Sequence, residues 1–172
     1  MTERRLNSFL CCCTSLVTLS LDDCSYFDPP GADSVCDLRN LASVSHLEMK
    51  DRTSAEIALR KWTNFMPNLV HLSMSPCYHS SLSLVRDIIE PKCSNIISLN
   101  LDFSLGYIDT DELVCLLKVP DLRLKSLNLV YFEGQRLVEA IATHQTEIAH
   151  LNIKTYLISY FCTPPPPFLE KN

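Results

Sequence analysis

Ile96-Ile97-Ser98-Leu99-Asn100-Leu101 sets out an apolar residue, two spacers, an apolar residue, one spacer and an apolar residue, and the chain repeats this phrase six times. The other copies are Leu16-x-x-Leu19-x-Leu21, Val44-x-x-Leu47-x-Met49, Leu69-x-x-Leu72-x-Met74, Leu124-x-x-Leu127-x-Leu129 and Ile148-x-x-Leu151-x-Ile153. Their starts lie 28, 25, 27, 28 and 24 residues apart. In an extended segment alternate side chains share a side, so the last two apolar residues of each phrase face one way and their spacers the other. The first apolar residue turns inward just before the strand. One such unit cannot bury its apolar edge alone, so the spacing predicts like units stacked on one another.

Between phrases the pattern changes from period two to helical spacing. Thr53-x-x-Glu56 reads as a capping box, followed by Ile57, Leu59 and Trp62 in a stretch ending at Pro67. Asp109-x-x-Glu112 is a looser start signal leading into Leu113, Leu116 and Leu117 and stopping before Pro120. Leu84, Val85, Ile88 and Ile89 form a third helical face stopped by Pro91, and Leu137, Val138 and Ile141 a fourth after Gly134. The result is strand, helix, strand, helix.

Phrase and period together resemble leucine-rich repeats. The implied fold class is α/β: a leucine-rich-repeat solenoid of about six repeats, a right-handed horseshoe with parallel strands concave and helices convex. The expected divisions are 1–15 as an N-terminal capping helix, 16–155 as the repeat domain, and 156–172 as a C-terminal cap or truncated repeat with a Pro-rich tail.

Composition narrows the function. The chain has 172 residues, 47% of them hydrophobic, enough for one sizeable core. A net charge of −5 offers no basic footprint, so no nucleic-acid partner is expected. Three glycines leave little material for phosphate-cradling loops, and no P-loop, dinucleotide or zincin motif is present. No apolar run reaches the length of a membrane span. The apolar opening from Leu6 to Leu21 is broken by Asn7, Ser8, Thr14, Ser15 and Thr18 and lacks a small-residue cleavage site, unlike a signal peptide. Nine cysteines at irregular spacings, three of them consecutive and none in a C-x-x-C pair, argue for reduced thiols in a cytoplasmic or nuclear protein.

Several cysteines fall in register with the phrase: Cys13-x-x-Leu16 and Leu21-x-x-Cys24 in the first repeat, Met74-x-x-Cys77 in the third and Cys93-x-x-Ile96 in the fourth. Across about residues 13 to 155 this resembles the cysteine-containing, ribonuclease-inhibitor-like subclass of leucine-rich repeats, in which Cys replaces the buried Asn after the strand. The subclass is typical of substrate-receptor subunits of cullin-RING ubiquitin ligases, of the F-box leucine-rich-repeat or Zyg-eleven type. The resemblance implies a protein-protein interaction module that receives a protein target and engages a cullin-RING ligase adaptor. A free-standing scaffold or inhibitor with no ubiquitin role is the alternative. The sequence departs from the subclass where Arg52, Ser104, Phe132 and Tyr156 stand at the repeat-end cysteine position, and 15 residues before Leu16 are too few for an F-box. Ser8-Phe9 through Cys13 to Val17 is a degenerate elongin-binding box with Phe9 in place of leucine. Leu6, Phe9, Leu10 and Cys13 also follow the i, i+3, i+4, i+7 spacing of a helix covering the first strand, the reading preferred here.

Read as columns, the strand spacers form the expected binding face. One column runs Thr18, His46, His71, Ser98, Ser126, His150; the next Ser20, Glu48, Ser73, Asn100, Asn128, Asn152; the third Asp22, Lys50, Ser75, Asp102, Val130, Lys154. Candidate contacts are His46, Glu48, Lys50, His71, Ser73, Asn100, Asp102, Asn128, His150 and Asn152, with Tyr131 as an aromatic anchor at the rim. His46, His71 and Glu48 bring metal binding or general-base chemistry to mind. With no third consistent ligand and no positioned nucleophile they read as solvated ladder residues. No catalytic residue, metal or cofactor is therefore expected, and the chain reads as a non-enzyme.

After Ile153, Tyr156-Leu-Ile-Ser-Tyr-Phe-Cys leads into Pro164 to Pro167. The run reads either as an improvised cap or as the start of more array, with the second favoured. The prolines read as a disordered stop rather than a ligand for an aromatic groove.

Overall fold

The computed structural model describes residues 3–22, 38–50, 56–75, 82–92, 94–103, 110–130 and 134–154. Every phrase becomes a strand that begins two residues after its first apolar position: β1 (Thr18–Asp22), β2 (His46–Lys50), β3 (His71–Met74), β4 (Ser98–Asp102), β5 (Ser126–Val130) and β6 (His150–Lys154). They form one parallel six-stranded sheet in sequence order. Parallel neighbours cannot be joined by a tight turn, because each return crosses the length of the strand. Here α2 (Glu56–Thr63), α3 (Leu82–Ile89), α4 (Thr110–Leu117) and α5 (Gln135–His144) lie between successive strands from β2 onward. Helix α1 (Glu3–Cys12) precedes β1, and a 3-10 turn (Arg39–Ser43) precedes β2. The molecule is an α/β protein.

The helix limits follow local chemistry. Asp111 and Glu112 occupy the first turn of α4, where carboxylates oppose the positive end of the helix dipole. Gly134 precedes α5 at φ 127°, a conformation that a side chain would strain. Thr63 ends α2 by returning its hydroxyl to the Leu59 carbonyl at 2.8 Å. Of the two expected capping signals, Thr53 and Asp109 lie outside the described residues.

One continuous cluster contains the inward residues of β1 to β5 together with Leu59, Trp62, Leu84, Ile88, Leu113, Leu117, Leu137 and Ile141 from the helices, and Ile153 of β6 packs against it. The first residue of the phrase is fully buried in Val44, Leu69, Ile96 and Leu124, yet only partly in Leu16 and Ile148. A terminal unit has a neighbour on one side only. Adjacent helices touch in the same order as the strands, α2 with α3, α3 with α4 and α4 with α5.

Helix α1 corrects one expectation. It packs against the 3-10 turn rather than showing Phe9, Leu10 and Cys13 together to the first strand. Leu10 is fully buried and Cys11 partly, while Phe9 is 61% exposed. Leu41 of the turn is itself buried, and the Asn40 amide donates to the Cys11 carbonyl at the helix end. Those two contacts draw the Leu10 side of the helix inward and leave Phe9 outside.

Candidate protein-binding face

Parallel pairing in equal register puts equivalent spacers side by side. Thr18, His46, His71, Ser98, Ser126 and His150 are successive partners, as are Ser20, Glu48, Ser73, Asn100, Asn128 and Asn152. The spacers of β1 and β6 are exposed, whereas those of β4 are half-buried between neighbours on both sides.

From β3 to β6 the middle column is a hydrogen-bonded ladder with one direction. Asn100 donates its amide to the Ser73 hydroxyl at 2.8 Å, Asn128 donates to the Asn100 side-chain oxygen at 2.5 Å, and Asn152 donates to that of Asn128 at 2.7 Å. A carboxamide carries both donor and acceptor, so each step leaves an acceptor for the next strand. Further along the same column Ser20 donates to Glu48 at 3.0 Å, and Lys50 pairs with the other Glu48 oxygen at 3.0 Å. Those bonds, that from Lys50 first, hold the Glu48 carboxyl below the ordinary carboxylate range. The same carboxylate raises Lys50.

His46 and His71 stack with ring centroids 4.1 Å apart and planes 14° from parallel. Burial first, then the neighbouring His46 charge, pushes the His71 pKa below its ordinary value. Ring lone pairs lie in the ring planes, so two stacked rings aim them along parallel lines rather than at one cation. The His46 ring shares a 2.7 Å hydrogen bond with the adjacent Ser45 hydroxyl, while Glu48 is engaged by Lys50 and Ser20. Among the described residues, no three His, Cys, Asp or Glu side chains gather as metal ligands would.

Glu48, Lys50, His46, His71, Ser73, Asn100, Asn128, His150 and Asn152 thus share one sheet face, and Asp102 ends β4 on it. Tyr131 lies outside the described residues. In the third column Val130 is buried beside Phe103, whose backbone N–H donates to the Val130 carbonyl. An apolar side chain at that strand end gains more from packing than from facing water.

Two sets of polar residues went unread in the sequence. Asn68 and Asn95 precede the third and fourth phrases by one residue, and each donates its amide to a carbonyl of the previous repeat, Ala42 at 2.7 Å and Pro67 at 3.0 Å. Their shared place before Leu69 and Ile96 was the available signal. Gln145 is buried, donates to the carbonyls of Leu117 and Leu122 and accepts from the Leu124 N–H. Nothing in a lone Gln after a helix signals that role. Between α3 and α4 lies a cavity of about 270 Å³ lined by Leu82, Ser83, Arg86, Asp111, Glu112 and Cys115. That volume is below the usual range for small-molecule sites.

No family model, curated protein or solved structure matches this chain. No helix among the described residues is long and apolar enough to cross a membrane.

Proposed function

We propose that this chain is a leucine-rich-repeat solenoid, a right-handed horseshoe whose polar sheet face holds a segment of a target protein. The reading is carried by the continuous spacer columns, in which His, Asn, Ser and Glu side chains stand in fixed register over six strands. Side chains already ordered by packing and mutual hydrogen bonds lose little freedom on binding, which suits a recognition surface. His46, His71, Asn100, Asn128 and Asn152 offer hydrogen bonds, and Glu48, Lys50 and Asp102 set charge register.

In the cell the module serves as a substrate receptor or adaptor of a cullin-RING ubiquitin ligase. This part rests on the resemblance of the cysteine-bearing phrases, of which Cys24, Cys77 and Cys93 lie outside the described residues. The test is affinity purification of tagged wild type beside a His71→Glu, Asn100→Glu double variant of unchanged thermal stability. Recovery of a cullin with its adaptor by both proteins, and of a target by wild type alone, is the expected result. A reproducible partner set without ligase components replaces the receptor with a free-standing scaffold. Equal target recovery by both proteins removes the polar face as the contact surface.

A further inference from the structure

The two ends of the sheet are finished differently. In β1 the inward residues Leu19 and Leu21 are only 6% and 5% exposed. In β6 the equivalent Leu151 is 51% exposed and Ile153 is half-buried. Val138 on the adjacent helix α5 is 57% exposed. β6 pairs with β5 along one edge, and among the described residues no strand lies on the other.

The chemistry of the existing junctions is uniform. At each of five junctions one carbonyl just before a strand accepts two consecutive backbone N–H groups of the next repeat. Val17 accepts from Ser45 and His46, Ser45 from Val70 and His71, and Val70 from Ile97 and Ser98. Ile97 accepts from Lys125 and Ser126, and Lys125 from Ala149 and His150. The Ala149 carbonyl is the sixth member of this series. On the polar side, the Asn152 side-chain oxygen is the next acceptor of the amide ladder. β6 therefore repeats every acceptor that seated the previous strand, together with a half-exposed Leu151 and a half-buried Ile153. Its remaining spacers, His150 and Lys154, are exposed and include no acid.

We propose that the outer edge of β6, which no described strand covers, is a strand-addition site for an extended segment of a partner protein, taken up as a seventh parallel strand. The segment carries two apolar residues in alternation, an amide or hydroxyl side chain between them, and carboxylates at its ends opposite His150 and Lys154. Backbone hydrogen bonds supply affinity in such pairings and the alternate side chains supply selectivity. Parallel orientation follows from continuity, since the Ala149 carbonyl and the Asn152 ladder repeat the parallel β5–β6 junction. A second copy pairing antiparallel through β6 would instead set His150 against Lys154, placing basic groups opposite each other. The site takes up its segment along the sheet edge and shares the β6 spacers His150, Asn152 and Lys154 with the polar face.

The probe is a blocked peptide of order Ser-Asp-Leu-Asn-Leu-Asp-Ser, titrated to millimolar concentration into the full chain while backbone amides are followed by NMR. Shifts confined to residues 149–154 and the flank of α5 are expected, with none from a peptide whose two leucines are replaced by serine. In Leu151→Asp, a change at an already half-exposed position, binding is expected to weaken about tenfold or more. Absence of shifts at β6, or shifts elsewhere alone, overturns the proposal. So do concentration-dependent β6 shifts without peptide, which mark a second copy. β6 amides protected in the free chain and unprotected after removal of residues 155–172 also overturn it, by assigning the edge to the chain's own segment.

Discussion

Gln145 shows how much one buried side chain can hold in this fold. Its carboxamide joins the end of α4, the turn before β5 and the Leu124 N–H, three backbone groups with little access to water. Gln145→Ala leaves the Leu117 carbonyl and the Leu124 N–H without this partner, while the Leu122 carbonyl keeps its bond from Arg123 at 3.2 Å, and a cost of about 2 to 3 kcal/mol is expected in chemical denaturation, more than an ordinary neutral hydrogen bond contributes. His71 gives a pH signature. Because its folded pKa is pushed down, the unfolded chain takes up the proton first. Stability linked to this group is complete above the ordinary histidine value near 6.5 and declines as pH falls through that value toward the lower folded one. Replacing His71 by Ser is expected to remove that part of the decline, measured as the difference in denaturation midpoint between about pH 7.5 and about pH 5.5.

At the scale of elements, α1 separates periodicity from placement. Both Phe9 and Leu10 fit an apolar helical stripe, yet Leu10 is sealed against the core and Phe9 stands in solvent. Phe9→Asp is expected to leave the melting temperature nearly unchanged, as for most surface substitutions, whereas Leu10→Asp buries an unpaired charge and abolishes folding or comes close to it. The test is thermal unfolding of the two variants side by side. The strands behaved differently. All six were legible, because a period of two over a buried side admits one register and a slip of one residue would turn every leucine to water. The Asn68 and Asn95 cross-links were legible only as a shared position, because an Asn before a strand has many local partners and only the stacked neighbour selects the carbonyl it reaches.

For the whole molecule, position along the array governs what an equivalent leucine contributes. Leu99 is fully buried with strands on both sides, and Leu151, at the equivalent position, has one neighbouring strand among the described residues. Leu99→Ala is expected to cost about 2 to 5 kcal/mol and Leu151→Ala less than about 1 kcal/mol, since half of the latter side chain is already hydrated. Equilibrium unfolding of both variants checks the ratio, and equal costs would show that the end of the sheet is covered in solution.

The periodic leucines alone determined the number of strands, their parallel register and the identity of the spacer columns, because alternation in extended chain leaves one way to turn six repeated apolar pairs to the same side. The same reading placed His46 beside His71 and aligned the asparagines. Tertiary structure decided which of those neighbours bond: the one-way amide ladder, the stacked rings, the pairing of Glu48 with Lys50 and Ser20, and the burial of Val130 and Phe103. It also decided that the two ends differ, with Leu19 covered and Leu151 open. The physical reason is range: alternation is a property of a few consecutive residues, whereas hydrogen-bond choice and end coverage depend on groups 24 to 28 residues away that only stacking brings within reach.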